Sequence, residues 1–144
     1  DLAESKRIND IRAGAVIISA SGMCEGGRIR HHLKHNISRP ECAIVFAGFQ
    51  AAGTLGRRIV DGADSVRLFG EDYPVRARVF TLGGLSAHAG RSALLGWLAH
   101  FRQPPAQTWV VHGETLPANS LCEAINQKAG WRARVPAAAE SVVL

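Results

Sequence analysis

The feature that most constrains this chain is a unit that occurs twice: a short apolar run, a glycine-bearing loop, then a helical stretch. Ala15-Val16-Ile17-Ile18-Ser19-Ala20 is a β-branched run flanked by glycines, which predicts a buried strand. Ser21 to Gly27 reads as a loop, and residues 28–36 as a helix with Ile29, Leu33 and Ile37 on one stripe. Cys42 to Ala47 predicts a second buried strand, Gly48 to Gly53 a loop, and Thr54 the N-cap of a short helix through Val60. Ser65 to Leu68 and Ala77 to Leu82 predict further strands. Strand–loop–helix order with continuous apolar strands predicts an α/β fold, a mainly parallel sheet with flanking helices.

A second block follows Gly83-Gly84. Arg91 to His100 predicts a helix with Leu94, Leu95 and Leu98 toward a core. Thr108 to His112 predicts a strand. Pro117 to Ala129 predicts a helix with proline in its first turn and Gly130 as its terminator. Arg132 to Val135 and Ser141 to Leu144 predict short terminal strands.

Composition narrows the partners. Lys and Arg number 17 against 12 Asp and Glu, a net +5 dominated by arginine, which favours an anionic partner such as a phosphodiester backbone. The 3 cysteines, Cys24, Cys42 and Cys122, form no CxxC pair. They argue against a disulfide framework and for a reducing, cytoplasmic setting. No apolar run approaches the ~18 residues of a membrane helix. The chain opens at Asp1 and its one methionine is Met23, so the sequence is expected to be a piece of a longer protein.

Three places can carry chemistry, each at the C-terminal end of an expected strand, where open α/β sheets bind ligands. The loop containing Ser21, Gly26, Gly27 and Arg28 feeds a helix N-terminus and offers N–H groups to an anion. It is neither a Walker loop nor GxGxxG. The same logic repeats at Gly48 to Arg58, where Arg57 can grip a phosphate through two parallel hydrogen bonds. The third place is a pair of imidazoles. His88 lies in Ser86-Ala87-His88-Ala89, and His112 in Val111-His112-Gly113-Glu114. Neutral imidazole is a common zinc ligand, and protonated imidazole contacts phosphate or acts as an acid. His31 and His35, at i and i+4, could chelate a metal, but no HExxH glutamate sits between them and a solvated or partly packed helix face explains them better.

Taken together, Gly22-Met23-Cys24-Glu25-Gly26-Gly27-Arg28 with His31-His32-Leu33, then Val45 to Arg57, then Ser86-Ala87-His88-Ala89, then Val111-His112-Gly113-Glu114 resemble the C-terminal part of the β-CASP metallo-β-lactamase nucleases. That group includes the 3′-end pre-mRNA cleavage endonuclease and its bacterial and archaeal RNA-processing relatives. The resemblance implies that residues 1–85 are the C-terminal part of a β-CASP domain. Residues 86–144 would then be the returning segment of a metallo-β-lactamase domain.

It implies further that His88 sits by the scissile phosphate as a general acid, with Ser86 beside it, and that His112 is a zinc ligand. Glu114 would support a ligand from behind or cap the next helix. Many relatives carry Asp after Ser-Ala-His-Ala, where this chain has Gly90. In the intact protein two zinc ions would activate a bridging water for attack on an RNA phosphodiester. Ser21, Gly26, Gly27, Arg28 and Arg57 would bind flanking phosphates. The family's main zinc motif, His-x-His-x-Asp-His, lies in an N-terminal half absent from these residues. The 144-residue chain is therefore expected to be inactive by itself, and a homodimer is expected to cover its incomplete faces. Two other readings share the fold: a non-catalytic RNA-binding scaffold and a DNA-directed member.

Overall fold

The computed structural model describes residues 2–85, 88–128 and 130–142, which fall in two compact units, Asp1–Ser86 and Ala87–Leu144. In the first unit, α1 (Leu2–Ile8) precedes a long irregular segment, then α2 (Ile29–Asn36), β1 (Ala43–Ala47) and α3 (Leu55–Val60). The strands β2 (Ser65–Leu68), β3 (Glu71–Pro74) and β4 (Arg78–Leu82) follow, and a 3₁₀ turn at Gly83–Leu85 closes the unit. β1 and β4 pair in parallel, from Ala43 opposite Arg78 to Ala47 opposite Leu82. β2 and β3 form an antiparallel hairpin, with Leu68 opposite Glu71.

The helical stripe of α2 behaves as its spacing requires: Leu33 and Ile37 are buried, and Ile29 packs on the same core with Phe46, Leu55, Ile59, Val66 and Leu68. The carbonyl of Ile37 accepts the amides of both Arg76 and Ala77 at 2.9 Å, tying the end of α2 to the entry of β4. Thr54 caps α3 as its sequence position predicts. Its hydroxyl oxygen accepts the Arg57 amide at 3.2 Å and its hydroxyl donates to the Ala51 carbonyl at 2.8 Å.

Two expectations are corrected in this unit, and one unexpected strand is added. Ala15 to Ala20 is not a buried strand: the segment is irregular, and Val16 and Ile18 are 88% and 95% exposed. A strand exists only through hydrogen bonds to a neighbouring edge, and no strand of the described residues lies alongside this one. β1 is half-buried and not fully buried, because Phe46 points into the core while Val45 stays exposed. β2 forms where it was expected, but its antiparallel partner β3 was hidden in the sequence because Glu71-Asp72-Tyr73-Pro74 lacks the usual strand composition.

In the second unit α4 (Arg91–Leu98), β5 (Thr108–Trp109), α5 (Thr115–Lys128) and β6 (Ala133–Arg134) surround a smaller core of Leu98, Cys122, Ile125, Trp131 and Ala133. β5 and β6 pair in parallel over two residues each. The expected strand at 108–112 thus shortens to its first two residues, and that at 132–135 to its centre. Residues 141–142 carry no strand, and 143–144 lie outside the described residues. Asn126 of α5 substitutes for a further strand. Its amide donates to the Ala133 carbonyl at 3.1 Å and accepts the Ala133 amide at 2.7 Å. Pro117 falls in the first turn of α5, where no intrahelical N–H is needed, and Gly130 beyond the helix has φ +62°. The three cysteines are unpaired thiols, and no described helix is long and apolar enough to cross a membrane.

Candidate nucleic-acid and metal site

In the first unit the two glycine-bearing loops fold onto each other. The Gly56 amide donates to the Met23 carbonyl at 3.0 Å, and the Ala51 amide approaches the Met23 sulfur at 3.3 Å. The Glu25 carboxylate accepts the Leu55 amide, the first N–H of α3. The positive end of α3 is therefore occupied by a carboxylate of this chain. The sequence reading missed Glu25 and Met23. The available signal was that α3 has no acidic residue in its own first turn.

The loop Ser21–Arg28 is a tight ring closed by the Ser21 amide on the Gly26 carbonyl at 3.3 Å and by the Ile29 amide on the Ala20 carbonyl at 3.2 Å. The Gly26 amide donates to the Ser21 hydroxyl oxygen over a long 3.4 Å. Gly27 has φ +77°, and a β-carbon there would stand 2.5 Å from the Ala20 oxygen, so only glycine closes the ring. Arg28 is exposed at the N-cap of α2 and makes no side-chain cap. Arg57 is turned back on its own helix, its Nε 2.8 Å from both oxygens of Asp61. Cys24, inside this loop, is buried, and burial first, then the Glu25 charge, pushes its thiol up to about 11. It is a packing residue, not a nucleophile.

Of the α2 histidines, His32 is buried. Its Nδ1 lies 2.9 Å from Asn9 Oδ1 and its Nε2 3.4 Å from the Ser5 hydroxyl, which suits a neutral ring protonated at Nδ1. Burial, and then the nearby His31, His35 and Arg28, lower its pKa from the ordinary 6.5. The folded state therefore binds fewer protons than the unfolded one below that value. The contribution is complete above pH 6.5 and is lost as pH falls through the depressed folded value. Amide exchange of α1 is expected to accelerate as pH drops from about 7 toward 5, after correction for intrinsic rates. Unchanged protection of Ser5 to Asn9 would refute this coupling.

In the second unit His88 is exposed two residues before Gly90, the N-cap of α4. Ser86 lies outside the described residues. His112 is exposed just beyond β5 and adopts φ +66°, a left-handed backbone that histidine enters at some cost. Glu114 occupies the N-cap position of α5, its backbone carbonyl accepting the Ala118 amide at 3.0 Å. Among the described residues no three His, Cys, Asp or Glu side chains converge to hold a metal. Tight zinc binding takes about four ligands. The described residues do not fit a zinc centre by themselves, and the His31–His35 pair has no third donor.

Two protein-family descriptions match the chain: the Beta-Casp domain over residues 1–59, and the Zn-dependent metallo-hydrolase RNA specificity domain over residues 72–136. The chain is 47% identical over 110 residues to ribonuclease TTHA0252 of Thermus thermophilus, covering 76% of this chain and 25% of that protein. It is 34% identical over 138 residues to the transcription termination factor FttA of Pyrococcus abyssi, and 35% identical over 138 residues to that of Thermococcus kodakarensis. Each of these matches covers 92% of this chain and 21% of the relative. The chain thus spans about a quarter to a fifth of the length of these proteins. With both domain descriptions matched in order along its length, the chain belongs to the β-CASP family of metallo-β-lactamase-fold proteins.

Proposed function

We propose that the chain is the C-terminal portion of a metal-dependent ribonuclease, contributing His112 as one zinc ligand and His88 as the group that donates a proton to the departing oxygen of an RNA phosphodiester. The observation that carries this reading is His112 itself. An exposed histidine held at φ +66°, next to Gly113 and three residues beyond the parallel strand β5, has no packing reason to be there. It lies inside the segment matched by a Zn-dependent metallo-hydrolase domain. The remaining ligands of a two-zinc centre come from polypeptide outside these residues, so the isolated chain binds no stoichiometric zinc and cleaves nothing. Ser21, Gly26, Gly27 and Arg28 hold a flanking phosphate, with Arg57 available once it leaves Asp61. Ser86 is assigned to phosphate from its sequence motif alone, since it lies outside the described residues, and Glu114 orients the turn that carries His112.

The test is zinc content and RNA cleavage by the full-length protein, with His88→Ala beside the unaltered form. Cleavage lowered ~10²- to 10⁴-fold, the usual contribution of a general acid, with zinc retained is the expected result. Cleavage by His88→Ala at the unaltered rate would remove His88 from the mechanism. Full-length protein that binds RNA without cutting it would favour the non-catalytic scaffold.

A further inference from the structure

The turn between β2 and β3 has a residue that fits its backbone poorly. Phe69 and Gly70 occupy the two central positions of a two-residue hairpin, with φ +51° and +87°. Two positive φ values mark the type I′ pattern, whose first position favours Asn, Asp or Gly. A bulky side chain in this region is an outlier. Nor does the ring return to the core: Phe69 is 46% exposed, while Leu68 before it is completely buried.

Instead the ring lies against α2. The His31 ring stacks on it at 4.6 Å between centroids with an interplanar angle of 29°. The Arg30 guanidinium carbon lies 4.8 Å from the Phe69 centroid. Arg30 Nε is buried without a hydrogen-bond partner, and Nη1 makes one long contact, 3.5 Å, to the Glu25 carbonyl. The guanidinium is therefore positioned by the ring more than by a carboxylate. Glu71, the acidic group nearest the turn, is paired with Lys34 at 3.5 Å and also accepts the Tyr73 hydroxyl. Asp72 follows it on the exposed side of β3.

His31 has a second neighbourhood. With Lys6, Arg7, Arg28 and His35 it lines a cleft of about 420 Å³ between α1 and α2, where Asp10 is the acidic wall residue. A partly open aromatic ring stacked on an imidazole, continuous with a cleft lined by basic side chains, is the combination that binds single-stranded nucleic acid: bases stack on the ring and phosphates follow the cations.

We infer that Phe69, His31 and Arg30 form a stacking platform for one base of a single-stranded nucleic acid, and that the α1–α2 cleft takes the adjoining phosphates. The inference rests on the reading above for the polymer being RNA. It concerns different residues, apart from Arg28, which borders the cleft.

The experiment measures binding of the 144-residue chain to two labelled probes by fluorescence anisotropy. One is an oligoadenylate of about ten nucleotides, within the usual site size of such grooves. The other is an abasic phosphodiester chain of equal length. Phe69→Asn removes the ring and places a favoured residue in the turn, so its melting temperature should equal or exceed that of the unaltered chain. Its affinity for oligoadenylate should fall roughly 5- to 150-fold, the worth of one stacked base, with the abasic probe unaffected. Phe69→Leu, which stays apolar, should lose the same preference. Lys6→Glu with Arg7→Glu should weaken both probes and flatten the salt dependence.

Oligoadenylate affinity unchanged in both Phe69 variants would overturn the platform. If Arg28→Glu still weakened binding in that case, the RNA-directed reading would stand without it. An unaltered chain that binds neither probe would overturn the platform too. RNA cleavage by the full-length protein would then decide the fate of the wider reading separately.

Discussion

Replacing His112 by glycine in the full-length protein is expected to raise the stability of its domain while lowering RNA cleavage by more than about 100-fold and reducing bound zinc. The two halves of this result come from one dihedral angle. At φ +66° histidine holds a backbone conformation that glycine adopts without a β-carbon penalty. Relief of that strain is worth about 1 kcal/mol. The side chain is exposed, so its removal opens no cavity in the core of Leu98, Cys122, Ile125, Trp131 and Ala133. Loss of a residue that merely supports a metal ligand costs ~10- to 100-fold in affinity or activity, so loss of His112, the ligand proposed above, should cost more. Thermal denaturation, zinc analysis and cleavage assays on one preparation read all three quantities. A variant that is more stable yet cleaves RNA at the unaltered rate would show that the strained turn serves something other than the metal.

Replacing Gly27 by alanine should have the largest effect on the folding of the first unit, destabilising it by about 2–4 kcal/mol. Two penalties combine. The residue sits at φ +77°, and the new β-carbon would stand 2.5 Å from the Ala20 oxygen and 3.1 Å from the Ser21 nitrogen. Both neighbours are backbone, so no side-chain rotation relieves the overlap. The Ala20 carbonyl is also the acceptor for the Ile29 amide, so displacing it loosens the start of α2 and with it the buried Leu33 and Ile37. Gly26→Ala is the control. A β-carbon at Gly26 meets nothing within 4 Å, and the change should stay within about 0.5 kcal/mol. Urea denaturation followed by circular dichroism, with amide exchange of α2, separates the two variants. Equal stability of both would mean that the ring closes in another way.

Much of the local fold was legible because its signals are local. The α2 stripe, the Thr54 cap, Pro117 in the first turn of α5 and Gly130 beyond it each depend on a few residues at fixed spacing. The glycine-bearing loops and the His-Gly step at 112–113 are of the same kind. What failed depends on a distant partner. Ala15 to Ala20 has the composition of a strand but no edge to pair with among the described residues, and it leaves Val16 and Ile18 in water. β3 forms despite its composition because Val66 and Leu68 of β2 enter the core and carry β3 with them.

The amino-acid order alone determined the α/β character and the cap and terminator residues, because spacing along one chain settles helical faces and turn geometry. Tertiary structure decided that Glu25 reaches the first amide of α3 across 30 residues. It likewise brought the His31 ring onto Phe69, and left the strand-like run at 15–20 unpaired. The physical reason is that such contacts are chosen by which surfaces the core brings together, and no local pattern encodes that choice.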